Sequence, residues 1–325
     1  MARPRSRKPS SRVDPMVFSG SGEVALAGAV AGQLGLQPGK RDLERFPDGE
    51  CHVRILESVR GHDVYFVAST GPPVEANLIE ILLLADACRR GGAARLTAVI
   101  PYLGYARQDR RASGREAVGA RVVADLLRAS GLDRVVAVDL HSPALEGFFS
   151  LPLEHLTAVP LLAEALRHST VGASGVVVAP DLGAARLADR YARHLDLPVA
   201  IVHKTRVSGR EVSVHGVSGN VEGRQPLIVD DMISTGATIE AASRALAAAG
   251  SLPPAAIAAT HGLFVAGAEE RLAAVGARRV VVTDSVAPPP GLRLLLEVVS
   301  VAPMLARAVQ HLHEDRSLAD LVAQG

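Results

Sequence analysis

The sequence predicts an α/β fold of two tandem units, each a mainly parallel sheet flanked by helices. Three observations predict it. Short, apolar, β-rich runs alternate with Ala- and Leu-rich runs of helical length along the chain. A strand–turn–helix–strand pattern also occurs twice, with Ser69-Thr70-Gly71 in one copy and Ser234-Thr235-Gly236 in the other. Finally, 325 residues exceed one average domain and suit two.

In chain order, residues 1–15 read as a disordered basic tail, because Arg3, Arg5, Arg7, Lys8 and Arg12 are interspersed with Pro and Ser. Apolar runs predict strands over 63–68, 96–101, 134–139, 175–179, 198–203, 226–229, 255–260 and 279–283. Between them, Ala/Leu-rich runs predict helices over 74–90, 117–129, 158–168, 184–195, 239–249 and 268–275. The first domain is expected over 16–157 and the second over 158–302. A helix at 303–313, within the closing segment 303–325, is expected to pack back on the first domain.

Composition excludes several classes. Lys+Arg 35 against Asp+Glu 34 leaves a net charge of +1, so no dedicated nucleic-acid surface is expected. No apolar run reaches membrane-spanning length, and the basic tail lacks the apolar stretch of a secretory signal. Cys51 and Cys88 match no metal or redox spacing. A hydrophobic fraction of 48% supplies a core without staples. A cytoplasmic protein is expected.

The most informative stretch runs from Leu227 to Thr238, where an apolar run meets Asp230-Asp231 and then Ser234-Thr235-Gly236-Ala237-Thr238 before the next helix. A turn of this kind aims backbone N–H groups and the hydroxyls of Thr235 and Thr238 at an anion on the helix N-terminus. The acidic pair beside it accepts hydrogen bonds from neighbouring hydroxyls. Together they predict a site for a ribose 5-phosphate unit. The plain alternative is an Asp-rich strand end followed by a capped helix.

Two nucleotide-like patterns carry little weight. Gly20-Ser21-Gly22-Glu23-Val24-Ala25, with Asp42 downstream, fits a loose dinucleotide pattern but follows only a very short strand. The 35–41 stretch lacks the length and the Ser/Thr of a phosphate loop. The stronger candidates sit at strand ends and in polar loops. His141 in Asp139-Leu140-His141, and Asp181 in Pro180-Asp181, are suited to holding Mg²⁺ between phosphate oxygens. The turn Phe46-Pro47-Asp48-Gly49-Glu50 pairs an exposed aromatic with two carboxylates, and Arg107, Gln108 and Asp109 lie in a cation-rich loop. In combination, Phe stacks on a purine, polar groups read its edge, and Arg binds phosphates. Lys204-Thr205-Arg206 opens a long polar stretch that reads as a mobile lid or a surface hairpin; a lid would bring its cations to phosphoryl oxygens.

The ordered set FPDGE (46–50), YARQDRR (105–111), DLH with EGFF (139–149), APD (179–181), HKTR (203–206), VDD (229–231) and THG (260–262) resembles ribose-phosphate pyrophosphokinases, the synthetases of phosphoribosyl pyrophosphate. The resemblance runs from about Arg45 to Ser300-Val301-Ala302-Pro303. It implies two type I phosphoribosyltransferase-like domains and transfer of the diphosphoryl group of Mg-ATP to the C1 hydroxyl of ribose 5-phosphate. Carried over by position, Asp230 and Asp231 hold ribose hydroxyls and Ser234, Thr235, Gly236, Ala237 and Thr238 the 5-phosphate. His141 and Asp181 organise Mg²⁺, Lys204 and Arg206 stabilise the transition state, and Phe46, Asp48, Glu50, Arg107, Gln108 and Asp109 bind ATP. The resemblance further implies a homo-oligomer built on dimers, up to a hexamer, in which a neighbouring subunit supplies the Phe46 turn. Rival readings are a phosphoribosyltransferase and a non-catalytic regulatory paralogue. The chain departs from the family pattern at 234–238, at Leu182-Gly183-Ala184-Ala185, and at Ser142-Pro143-Ala144-Leu145-Glu146. There Glu146 stands where a neutral amide is common and is expected to repel an anionic effector.

Overall fold

Alternation within single strands divides the core. Along Asp63–Val67, Tyr65 and Val67 face one hydrophobic cluster while Val64 and Phe66 face another, as the two-residue period of a strand requires. The computed structural model describes residues 14–111, 113–167, 174–206, 212–265 and 267–322, without the side chains of 204–206 and 212–215. The basic residues predicted to form a tail lie outside this range.

The strands are β1 (Met16–Ser19), β2 (Arg41–Arg45), β3 (Cys51–Ile55), β4 (Asp63–Val67), β5 (Arg95–Ile100), β6 (Arg134–Val138) and β7 (Leu153–Leu156), then β8 (Gly175–Ala179), β9 (Val199–Arg206), β10 (Val212–Ser218), β11 (Gln225–Ile233), β12 (Ala256–Gly262), β13 (Val280–Thr283) and β14 (Leu296–Val299). The α-helices are α1 (Val24–Gln33), α2 (Val74–Gly91), α3 (Gly119–Ala129), α4 (Val159–Arg167), α5 (Ala185–Leu195), α6 (Ala237–Ala248), α7 (Ala268–Val275) and α8 (Ala302–His313).

The first sheet has the order β1-β4-β5-β6-β7 and is parallel throughout. The second has the order β10-β9-β8-β11-β12-β13-β14, parallel except for the edge hairpin β9–β10. Strands β2 and β3 form a separate antiparallel hairpin. This is the α/β architecture expected, with parallel strands buried by helices on their faces.

Three layers of apolar packing hold it. Helices α2 and α3 cover the outer face of the first sheet, and α6 and α7 that of the second. The inner faces of both sheets share one cluster with α1, α4, α5 and α8, so the two halves have a common middle. Helix α8 lies against α1. Its last residue, His313, meets buried Asp63 at 3.0 Å, and just beyond it Asp315 accepts from Arg95 at 2.9 Å. Among the described residues, no helix is long and apolar enough to cross a membrane.

Candidate active site

The acidic pair sits inside β11. The strand was expected to stop at residue 229, but Asp230 is still registered with Ala259 of β12 and pairing continues to Ile233. Charged residues fit there because the carboxyl ends of parallel strands open onto a crevice. Ser234 to Gly236 then turn the chain into α6. Gly236 caps that helix at φ +75°, a left-handed conformation that favours glycine. The backbone N of Ala237 faces Thr235 Oγ1 at 3.4 Å. Helix α6 therefore begins at Ala237, two residues before the expected start, and Ala237 and Thr238 belong to its first turn.

The other half contributes the end of β6. His141 Nδ1 donates to Asp231 Oδ2 at 2.7 Å, a contact spanning 90 residues of sequence. Its backbone is set by Asp139, at φ +37° and buried. The Asp139 carboxylate accepts from Thr157 Oγ1 (2.7 Å), Ala158 N (2.9 Å) and Thr260 Oγ1 (2.7 Å), which ties β6 to β12 of the second sheet. Next to it, buried His261 directs Nε2 at the carbonyls of Val138 and Asp139, at 3.1 and 3.2 Å. Two carbonyl partners require that Nε2 carry the proton.

These contacts set the electrostatics. The hydrogen bond to Asp231 pushes the His141 pKa up, against the burial that lowers it. Burial alone would raise Asp231, but the bond and charge of His141, with His261 nearby, hold it below the usual carboxylate range. Asp230 moves the other way: burial pushes it well up, and the charges of Asp231 and Asp181 add to the push. One carboxylate of the pair thus favours the ionised form and the other the protonated form.

Of the remaining candidates, Asp181 and the 107–109 loop lie beside this centre. Asp181 begins the short 3₁₀ turn Leu182–Ala184 and accepts from Gly183 N at 3.0 Å. The charges of Asp109 and Arg107 both act on His141, which places that loop at the same crevice. Gln108 O accepts from Ala120 N at 3.2 Å, anchoring the loop to α3. Phe46, Asp48 and Glu50 form the tip of the β2–β3 hairpin, with Phe46 49% exposed. Bonds of that tip run within the hairpin and, through Arg45, to Glu80 of α2 at 2.8 Å. Lys204 and Arg206 lie in the last three positions of β9, and their side chains fall outside the described residues, as does 207–211 of the predicted lid. Among the described residues, no three His, Cys, Asp or Glu side chains converge into a ready cation cage. An imidazole with two or three carboxylates around one crevice still suits a hard cation, which takes one or two protein oxygens and completes its shell with phosphate and water.

The hydroxyls of the first Ser-Thr-Gly copy are engaged inside the core. Ser69 Oγ donates to the Ser285 carbonyl across the middle of the molecule, and Thr70 Oγ1 donates to Tyr102 O at 3.0 Å while accepting from Gly104 N. Both hydroxyls are buried.

Two sets of residues make structural contacts that the motif reading did not foresee. One is the seam of Asp139, Thr260 and His261. The other is Glu146, in the 3₁₀ segment Pro143–Phe148, whose Oε1 lies 3.2 Å from His155 Nδ1. The readable signal for the first was a Thr-His pair closing an apolar strand; nothing local signals the second.

The sequence matches the profile of the N-terminal domain of ribose phosphate pyrophosphokinase over residues 15–131. A phosphoribosyl transferase domain matches over residues 159–269. The chain is 43% identical to a ribose-phosphate pyrophosphokinase of Gloeobacter violaceus over 307 residues, covering 94% of this chain and 92% of that one. It is 40% identical to a ribose-phosphate pyrophosphokinase of Caldanaerobacter subterraneus over 306 residues, covering 94% and 96%. The phosphoribosylpyrophosphate synthetase from Mycobacterium smegmatis has the same fold, with a TM-score of 0.87 and 39% identity over 93% of this chain and 100% of that one.

Proposed function

The chain belongs to the ribose-phosphate pyrophosphokinase family, and from that premise we propose how its own residues carry out the family's reaction. The enzyme transfers the diphosphoryl group of ATP to the C1 hydroxyl of ribose 5-phosphate, giving phosphoribosyl pyrophosphate and AMP. The C1 oxygen bonds to the β-phosphorus, the bond from that phosphorus to the α,β-bridging oxygen breaks, and the hydroxyl proton is released.

One observation carries the residue assignment: β11 delivers Asp230 and Asp231 directly into the loop that starts α6, with His141 of the other half bonded to Asp231. Ser234, Thr235, Gly236, Ala237 and Thr238 receive the 5-phosphate on the loop N–H groups and hydroxyls. Asp231, ionised and oriented by His141, accepts from the ribose hydroxyls with Asp230 beside it. Arg107, Gln108 and Asp109 bind ATP together with Phe46, Asp48 and Glu50, and the hairpin carrying the latter three comes from a neighbouring copy in a homo-oligomer. Lys204 and Arg206 close over the transferring group and stabilise its charge. His141 and Asp181 would hold Mg²⁺, which supplies positive charge to the phosphate oxygens. The division into a first domain over 16–157 and a second over 158–302, and a cytoplasmic location, complete the reading.

The test is purified protein with Mg-ATP and ribose 5-phosphate, followed by chromatography. AMP and phosphoribosyl pyrophosphate should form together, and only when ribose 5-phosphate is present. ADP in place of AMP overturns the reading, and so does a folded protein that forms neither.

A further inference from the structure

The loop between β11 and α6 is gripped by its carbonyl oxygens. Ile233 O accepts from Leu263 N (2.9 Å) and Phe264 N (3.1 Å), and Ser234 O from Val265 N (3.1 Å). Thr235 O accepts from Arg271 Nη1 at 2.9 Å. Three successive carbonyls therefore face the segment that follows β12. In a planar trans peptide the C=O and N–H point in opposite directions. Holding these carbonyls on one side aims the N–H groups of Ser234, Thr235 and Gly236 at the other, where an anion at the start of α6 would sit.

Two of the three carbonyls are held by main chain. The third depends on a side chain. Arg271 lies on α7, and its Nη1 also reaches Gly267 O at 3.3 Å, so the guanidinium bridges the start of α7 to the loop. Gly236 rests on the same helix: a Cβ there would stand 3.5 Å from Ala268 O and 3.6 Å from Arg271 Cβ. Arg271 has a second neighbour in Glu240, with Nε 3.7 Å from Oε2, on the first turn of α6. That carboxylate would oppose an anion on the loop, and Arg244 also pairs with it at 2.8 Å.

We propose that Arg271 is a positioning residue for the phosphosugar: by holding the Thr235 carbonyl, it keeps the Gly236 N–H turned toward the 5-phosphate and the loop formed before substrate arrives. The inference rests on the loop being the 5-phosphate site, as assigned above. A guanidinium suits the task because Nη1 alone serves both carbonyls while Nε, held in the same rigid plane, faces Glu240; a flexible ammonium group lacks that second, fixed point.

Steady-state kinetics of R271M, R271K, E240Q and R271M/E240Q test it, with melting temperatures measured in parallel. In R271M, KM for ribose 5-phosphate should rise about tenfold, the scale of one charge-assisted hydrogen bond, while KM for Mg-ATP and kcat stay within about twofold. R271K should lie between R271M and the parent. E240Q alone should not raise KM for ribose 5-phosphate, and the double variant should remain as weak as R271M. An unchanged KM in R271M overturns the proposal, as does recovery to the parent value in R271M/E240Q, which would reduce Arg271 to neutralising Glu240. Equal losses for both substrates, tracking a lower melting temperature, would make the role general and overturn it as well. The parent enzyme reports on the underlying reading separately: failure to consume ribose 5-phosphate removes the site itself before any variant is compared.

Discussion

His155 presents Nε2 to the backbone N–H of Leu140 at 2.9 Å, one residue before His141. Because an N–H can only donate, Nε2 must be unprotonated, and the ring proton sits on Nδ1, facing Glu146. Glu146 therefore fixes a tautomer, and the tautomer fixes the backbone from which His141 reaches Asp231. A neutral amide at 146 would accept from the same ring without the charge.

This arrangement predicts a pH dependence. Burial lowers the His155 pKa below the usual 6.5, so folding favours the neutral ring. The stability it contributes is fully present above about 6.5 and is lost as pH falls toward the folded value. His155→Gln keeps an acceptor for Leu140 and a donor for Glu146 but does not titrate. Its melting temperature should decline less than the parent's between about pH 7.5 and 5.5. Parallel curves would show that His155 is not the group responsible.

Glu23 predicts the opposite sign. It is buried at the start of α1, and burial, with Glu80 nearby, pushes its pKa from 4.5 up to about 7. The unfolded chain ionises first, so this group takes stability away as pH climbs from 4.5 to about 7. Glu23→Gln removes the penalty while keeping an acceptor for the Ser69 N–H. At pH 8 the variant should be more stable by roughly 2–3 kcal/mol, and near pH 4 the two proteins should converge. Chemical denaturation at both pH values decides it; a variant less stable at pH 8 contradicts the assignment.

The two members of the acidic pair should respond unequally. Asp231 favours the ionised form and bonds His141, so Asp231→Asn should weaken ribose 5-phosphate binding at least about tenfold. Asp230 is already pushed toward its neutral form, which Asn resembles, so Asp230→Asn should weaken it less. Titration calorimetry with ribose 5-phosphate gives both constants. Equal losses would mean that both carboxylates are charged in the complex.

Lys204→Ala and Arg206→Ala should each lower kcat by at least about a hundredfold, since fixed cations act chiefly on the charge of the transition state. Both lie at the end of an edge hairpin, so the melting temperature should hardly move. A variant that keeps near-parental kcat removes that residue from the transition-state role.

Much of the fold was legible because its signals are local. The run 175–179 and the helix 268–275 coincide with β8 and α7 residue for residue. What escaped were elements with weak local signals: β14 has four residues, α1 carries two interior glycines, and β2 is rich in charge on a half-exposed hairpin. The site was legible as motifs but not as geometry. Asp230, Asp231 and the loop could be read together because they are contiguous. The Asp139–Thr260 bond joins residues 121 apart in sequence, and no period or spacing encodes it.

Because Ser69 and Thr70 are already bonded across the core, the two halves tolerate change at their Ser-Thr-Gly turns unequally. The second Ser-Thr-Gly turn, where Thr235 is exposed, can vary at that position without unfastening the core. A substitution at Ser69 or Thr70 unfastens Ser285 or Tyr102 from the middle of the molecule. The same three residue types are thus a fastener inside one half and an open turn in the other.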